Sequence, residues 1–103
     1  MIMRIWSART SGDPQAYEQE FGSHVLDALG GLDGCRGAYL LRRSDETGTE
    51  FVTLTLFDSL ADVRRFAGPD VDAANVSPAA RAVLDDVDER VRHYTVVSAP
   101  TPP

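Results

Sequence analysis

The chain has 103 residues, 43% of them hydrophobic and 25% charged, a composition that suits one globular domain and a length too short for two. Its 16 acids outweigh 10 bases, all arginine, for a net charge of −6, and with acids close to every arginine pair no basic stripe forms, so neither nucleic acid nor an anionic membrane is an expected partner. The one cysteine, Cys35, excludes an internal disulfide and a Cys-cluster metal site.

Ile2–Arg9 alternates as a strand does, with Ile2, Arg4, Trp6 and Ala8 on one face and Met3, Ile5 and Ser7 on the other. Asp13 stands where an N-cap belongs, and Pro14 needs no amide partner at the first helical position. The following helix presents Tyr17, Phe21, Val25, Ala28 and Leu29 as an apolar stripe. Gly30 and Gly31 are expected to end it through the left-handed conformation that glycine enters cheaply. Cys35–Arg43 reads as a second strand, Ser44–Thr49 as a polar hairpin loop, and Glu50–Asp58 as a third strand that is β-branched and aromatic on both faces. A strand of that kind is covered on both faces.

Ser59–Asp62 has the form of a capping box, and Leu60, Val63, Phe66 and Ala67 form the apolar side of the helix it opens. Gly68 and Pro69 stop that helix. Asp70–Val76 is ambiguous between a helical turn and a loop. Ser77 and Pro78 start another helix, with Ala80, Val83, Leu84 and Val87 at helical spacing. Glu89–Val97 is the last strand. Residues 1–98 are expected to form one domain, with 99–103 a disordered tail in which proline cannot join a ladder. The N-terminal MIMRIW lacks a charged leader before an apolar run, and no stretch approaches membrane-spanning length, so a cytoplasmic location is the expectation.

This order of strands and helices predicts an α+β fold: a ferredoxin-like split βαβ arrangement with an antiparallel sheet. Helices on a single face leave the other face of the sheet in need of cover. A domain of this size buries only roughly 60–65% of its unfolded surface, so a second copy would add stability. A homodimer is expected.

Four stretches carry a family resemblance: RIW at Arg4–Trp6, RGAYLLRR at Arg36–Arg43, FVTLTLFDSLADVRRFAG at Phe51–Gly68, and VRHYTVV at Val91–Val97. In them the chain resembles the antibiotic-biosynthesis monooxygenase-like proteins of the dimeric α+β barrel superfamily. The resemblance implies two sheets closing into one barrel, helices outside, and a pocket between helices and sheet in each subunit. The activities it implies are oxygenation of aromatic polyketides without metal or flavin, degradation of haem, and quinol oxidation. Haem-degrading relatives carry a tryptophan on the helix after the third strand and a histidine ligand one loop later. Phe66 and the Asn75–Val76 region match those positions here, which disfavours haem chemistry.

Two histidines are the candidate bases. His24 lies at the edge of the first helix's stripe, where an imidazole can accept a proton from a phenol; the alternative is a half-exposed helix histidine. His93 is either a second base or a buried, hydrogen-bonded structural histidine, and it must point away from the face that Tyr94 occupies. Trp6, Tyr39, Phe57 and Phe66 are candidate walls of an aromatic pocket for a planar substrate, or simply core. Arg4 and Arg42 sit within strands, where an arginine pairs with an acid or reaches solvent; the functional alternative is to steady an oxyanion or bound superoxide. No phosphate-binding glycine pattern occurs, and the histidines lack Cys or paired carboxylate neighbours, so no nucleotide cofactor and no metal are expected. The reading is a cofactor-independent monooxygenase that joins a small aromatic, polyketide-like phenol to dioxygen. The alternative is a non-oxygenase barrel, either a ligand-binding protein or an isomerase or cyclase acting on a similar substrate.

Overall fold

In the computed structural model residues 1–100 are described, and residues 101–103 of the expected tail lie outside the described residues. Local chemistry sets the helix starts. Asp13 Oδ1 accepts from the Gln15 amide at 2.9 Å, opening α1 at Pro14–Glu20. The helix passes through a π segment, Phe21–Val25, in which the Leu26 amide bonds to the Phe21 carbonyl, and continues as α2, Leu26–Gly30. Ser59 Oγ accepts from the Asp62 amide at 3.3 Å and donates to Asp62 Oδ2 at 2.9 Å, so the capping box opens α3, Leu60–Ala67. Ser77 Oγ accepts from the Ala80 amide at 3.1 Å and starts α4, Pro78–Val83.

Among the described residues five strands form one antiparallel sheet: β1 Ile2–Thr10, β2 Cys35–Asp45, β3 Gly48–Phe57, β4 Asp86–Val87 and β5 Arg92–Thr95. The order runs β2-β3-β1-β4, and β5 also pairs with β1. This is the expected α+β, ferredoxin-like fold, with β1 central. Register divides the faces. Arg4 lies opposite Thr55, Trp6 opposite Thr53 and Ala8 opposite Phe51, and this inner face meets the helices. Two clusters form there. Ala8, Tyr17, Phe21, Phe51, Ala80 and Leu84 make one, and Leu29, Phe57, Val63 and Ala67 the other. Phe51, Phe57 and Val63 are wholly buried, each contributing about 1.5–3 kcal/mol through removal from water.

Several boundaries differ from the sequence reading. Within the chain itself strand β3 is covered on one face: Phe51, Thr53, Thr55 and Phe57 are buried while Val52, Leu54 and Leu56 are half-buried. The hairpin loop is shorter than Ser44–Thr49, because Asp45 already pairs with Gly48. The first helix ends without a left-handed glycine, Gly31 having φ −91°. The positive φ falls later, at Gly34. Leu84 and Val87 do not extend α4. Leu84 has extended backbone, and Val87 pairs with Ala8 in β4, since the open edge of β1 offers ladder bonds that another helical turn would forgo.

The last strand is also split rather than continuous over Glu89–Val97. Val87 pairs with Ala8 and Arg92 with Ile5, so the four residues Asp88–Val91 face only Trp6 and Ser7. The surplus leaves the ladder, and Arg90 forms a bridge to Ala73 instead. Asp70–Val76 therefore becomes a loop tied to the sheet edge. No helix among the described residues is long and apolar enough to cross a membrane.

Candidate active site

Between the helices and the inner face of the sheet lies a cavity of about 590 Å³, within the range of small-molecule sites, roughly 300–1,000 Å³. Trp6, Thr53 and Thr55 face it from the sheet, Tyr17, Phe21 and His24 from the first helix, and Phe66 and Asn75 from α3 and the loop beyond. Its lining is mainly apolar and aromatic. Tyr17 stands 6.0 Å from Trp6 and 5.1 Å from Phe51, ring centre to ring centre. The Trp6 indole is fixed by donating to the Asp88 carbonyl at 2.7 Å, a carbonyl released by the split in the last strand.

His24 stands at the mouth of this cavity with its side chain 69% exposed, its Nδ1 2.8 Å from Glu20 Oε1. A proton held on Nδ1 toward that carboxylate leaves Nε2 as the free acceptor. Glu20 is one α-helical turn before His24, and its side chain is only 15% exposed. The π segment includes His24, and such widened turns often accompany functional sites.

His93 is placed otherwise. Its Nε2 is 3.0 Å from Arg4 Nη1 and its Nδ1 is 3.1 Å from Asp72 Oδ1. A guanidinium can only donate, so Nε2 accepts and Nδ1 carries the proton. Both ring nitrogens are engaged, and His93 is not on the cavity wall. It has no free lone pair with which to act as a base. Tyr94, its neighbour, is 50% exposed on the outer face.

The four predicted wall residues separate. Trp6 and Phe66 line the cavity. Phe57 lies behind the wall, wholly buried, its ring centre 5.9 Å from that of Phe66. Tyr39 lies opposite Leu54 on the outer face of the sheet and is 57% exposed, so the period-two alternation that turns Leu54 outward turns Tyr39 with it. Arg42 pairs with Glu18 at 2.6 Å on the exterior, whereas Arg4 lines the cavity.

Tyr17, Glu20, Thr53 and Thr55 belong to the site without having been singled out for it. The two threonines carried a readable signal: they occupy the inward positions between Phe51 and Phe57, where an all-apolar strand would place Val or Ile. Burial pushes the Tyr17 phenol up to about 12, with Thr53 beside it lowering this and the Glu20 charge raising it. Tyr17 therefore keeps its proton near neutral pH and can donate but not act as a base. Among the described residues no three His, Cys, Asp or Glu gather as metal ligands would. At the position matching a haem ligand, Asn75 donates its amide to the Ala67 carbonyl at 2.7 Å and Val76 has no ligating side-chain atom.

No protein-family model and no curated protein sequence matches the chain. Solved structures do. SnoaB from Streptomyces nogalater, a cofactor-independent oxygenase, superposes in an asparagine-to-alanine variant with TM-score 0.72 at 16% identity, covering 98% of this chain and 97% of that one. The chain has the fold of that oxygenase. A provisionally named antibiotic biosynthesis monooxygenase from Deinococcus radiodurans shares that fold, with TM-score 0.68 at 17% identity over 100% of this chain and 99% of its own. So does an arginine-to-serine variant of MhuD with two manganese protoporphyrin IX molecules per active site, with TM-score 0.62 at 18% identity over 99% and 100% of the two chains. Within this fold the cavity, rather than overall likeness, must argue for a reaction.

Proposed function

We propose that the protein is a cofactor-independent monooxygenase acting on a phenolic aromatic of polyketide type, in the cytoplasm and as a homodimer. The observation that carries this reading is an aromatic cavity with one imidazole at its mouth, His24, oriented by Glu20. The likeness in fold to SnoaB, a cofactor-independent oxygenase, supports it.

The chemistry asks little of the protein. His24 Nε2 takes a proton from a phenol or an adjacent activated methylene, leaving an electron-rich carbanion or phenolate. That anion passes one electron to dioxygen, and the resulting radical and superoxide combine at carbon. Protonation gives a hydroperoxide, which loses water to leave a carbonyl. For a methylene substrate all four electrons taken by dioxygen come from the substrate, with one oxygen atom kept and the other released as water. The protein supplies base, orientation and a largely dry enclosure. Trp6, Tyr17 and Phe66 hold the ring system, and the Tyr17 phenol can donate to a substrate oxygen.

The test is oxygen uptake with a hydroxylated anthrone. His24→Ala should lower the rate by roughly 10²–10⁴-fold, the range for a lost general base, with the circular dichroism spectrum and melting curve unchanged. His93→Ala should instead lose stability, because it leaves Arg4 short of an acceptor. Full activity in a folded His24→Ala variant would remove His24 from the mechanism. Turnover of such a substrate without consumption of dioxygen would replace the oxygenase with an isomerase or cyclase, and binding without turnover would leave a ligand-binding protein.

A further inference from the structure

The cavity lining also carries a buried cation that has no part in the base chemistry above. It is Arg4, at 5% exposure. Its Nη1 donates to the Val71 carbonyl at 2.6 Å and to His93 Nε2 at 3.0 Å, and its Nη2 donates to the Ala73 carbonyl at 3.0 Å. These use three of the five N–H groups of a guanidinium, so the Nε–H and one Nη2 proton are left over. The Phe66 ring lies 5.6 Å from the guanidinium carbon and flanks it as a cation–π partner.

What Arg4 lacks is an anion. Arg9, Arg36, Arg42, Arg43, Arg65, Arg81 and Arg90 all pair with carboxylates. Among the described residues Arg4 forms no such pair, and it reaches an acid only through the His93 ring, which contacts Asp72. A buried cation without a direct counter-charge is costly. Its environment bears this out: desolvation by burial lowers the Arg4 pKa, and the Asp72 charge opposes that shift. A ligand anion would relieve the cost.

We propose that the cavity takes an aromatic anion whose charged oxygen, a carboxylate or acidic enolate, sits on the free N–H groups of Arg4. His93 and Asp72 are positioning residues. The imidazole holds Nη1 from one side, its own orientation is set by the carboxylate, and the Val71 and Ala73 carbonyls fix the rest of the fork. This assignment rests on the aromatic-substrate reading above and narrows it to acidic aromatics.

Calorimetric titration of the purified protein with hydroxynaphthoate and with its uncharged amide tests the assignment without any turnover. The wild type should bind the anion roughly 10–100-fold more tightly than the amide, the scale of a charged hydrogen bond. Arg4→Met should bring the two affinities together by weakening the anion alone. Arg4→Lys keeps the charge without the planar fork and should retain only part of the preference. Asp72→Ala, at a half-exposed position, should also lose part of the preference while the amide's affinity stays unchanged, which a merely structural role would not produce. Should Arg4→Met fail to fold, the wild-type ratio with the Arg4→Lys and Asp72→Ala variants decides the question. Equal wild-type affinities, failure of both probes to bind, or a preference that survives Arg4→Met would overturn the assignment. An Arg4-dependent preference in a protein that never takes up oxygen would sustain it and remove the oxygenase reading. Oxygen uptake with a preference independent of Arg4 would do the reverse.

Discussion

Thr53 and His24 are opposite kinds of residue in one cavity. His24 is exposed and held on one side only, by Glu20, so its chemistry is available and its contribution to stability is small. Thr53 is enclosed with its hydroxyl unsatisfied, which costs about 1–3 kcal/mol in an empty site. Thr53→Val keeps the shape and removes the orphaned group. That variant should melt several degrees higher, since about 1 kcal/mol moves a domain of this size by roughly 4–8 °C. A lower melting temperature would mean that the hydroxyl is satisfied in solution. The residue scale is also where the sequence is hardest to read. His24 could be placed on the rim of a helical stripe by spacing alone, and Trp6 and Phe66 on inward faces. Whether His93 had a free nitrogen depended on Arg4 and Asp72, which are far from it in sequence and reach it only through the sheet register and the loop after α3.

At the scale of elements, caps and alternation were legible because their causes are local. Asp13, Ser59 and Ser77 each satisfy amides two or three residues ahead, and the alternation in Phe51–Phe57 fixes which side of β3 is core. The misplaced boundaries have distant causes. Val87 fits helical spacing but is claimed by Ala8 on β1, and the widened turn at Phe21–Val25 leaves no mark in an apolar stripe that reads well as α-helix. Gly48 is a further case. It reads as an ordinary turn glycine, yet its φ is 143° and an added Cβ would collide with the Thr10 carbonyl of the neighbouring strand. That neighbour is backbone and cannot swing away. Gly48→Ala should therefore destabilise the protein by about 1–3 kcal/mol, seen as a lower denaturation midpoint with an unchanged slope. A neutral substitution would show that the hairpin relaxes away from β1.

For the whole molecule, the decisive asymmetry is between the two faces of the sheet. The inner face holds the cavity and both core clusters. The outer face presents Met3, Ile5, Leu41, Leu54 and Leu56 beside Tyr39 and Tyr94, with Leu41 47% exposed, Tyr39 57% and Tyr94 50%. An apolar sheet face of this extent is unusual on a monomer, and a stable interface needs about 800 Å² from each partner. A second copy supplies a matching face by symmetry. Light scattering at micromolar concentration should therefore give twice the 11.2 kDa chain mass. Leu54 lies in the middle of this face, between Ile5 and Tyr39 in the ladder, and Leu54→Asp would place a carboxylate against its own copy or close to it. That variant should sediment as a monomer and melt at a lower temperature. Because the cavity opens on the other face, hydroxynaphthoate affinity should fall far less than stability when measured well below the melting point. A wild-type protein that is monomeric at these concentrations, with a native spectrum, would show that the outer face tolerates water and would end the dimer reading. A Leu54→Asp monomer that is folded yet binds nothing would show instead that closure of the sheets shapes the cavity from behind.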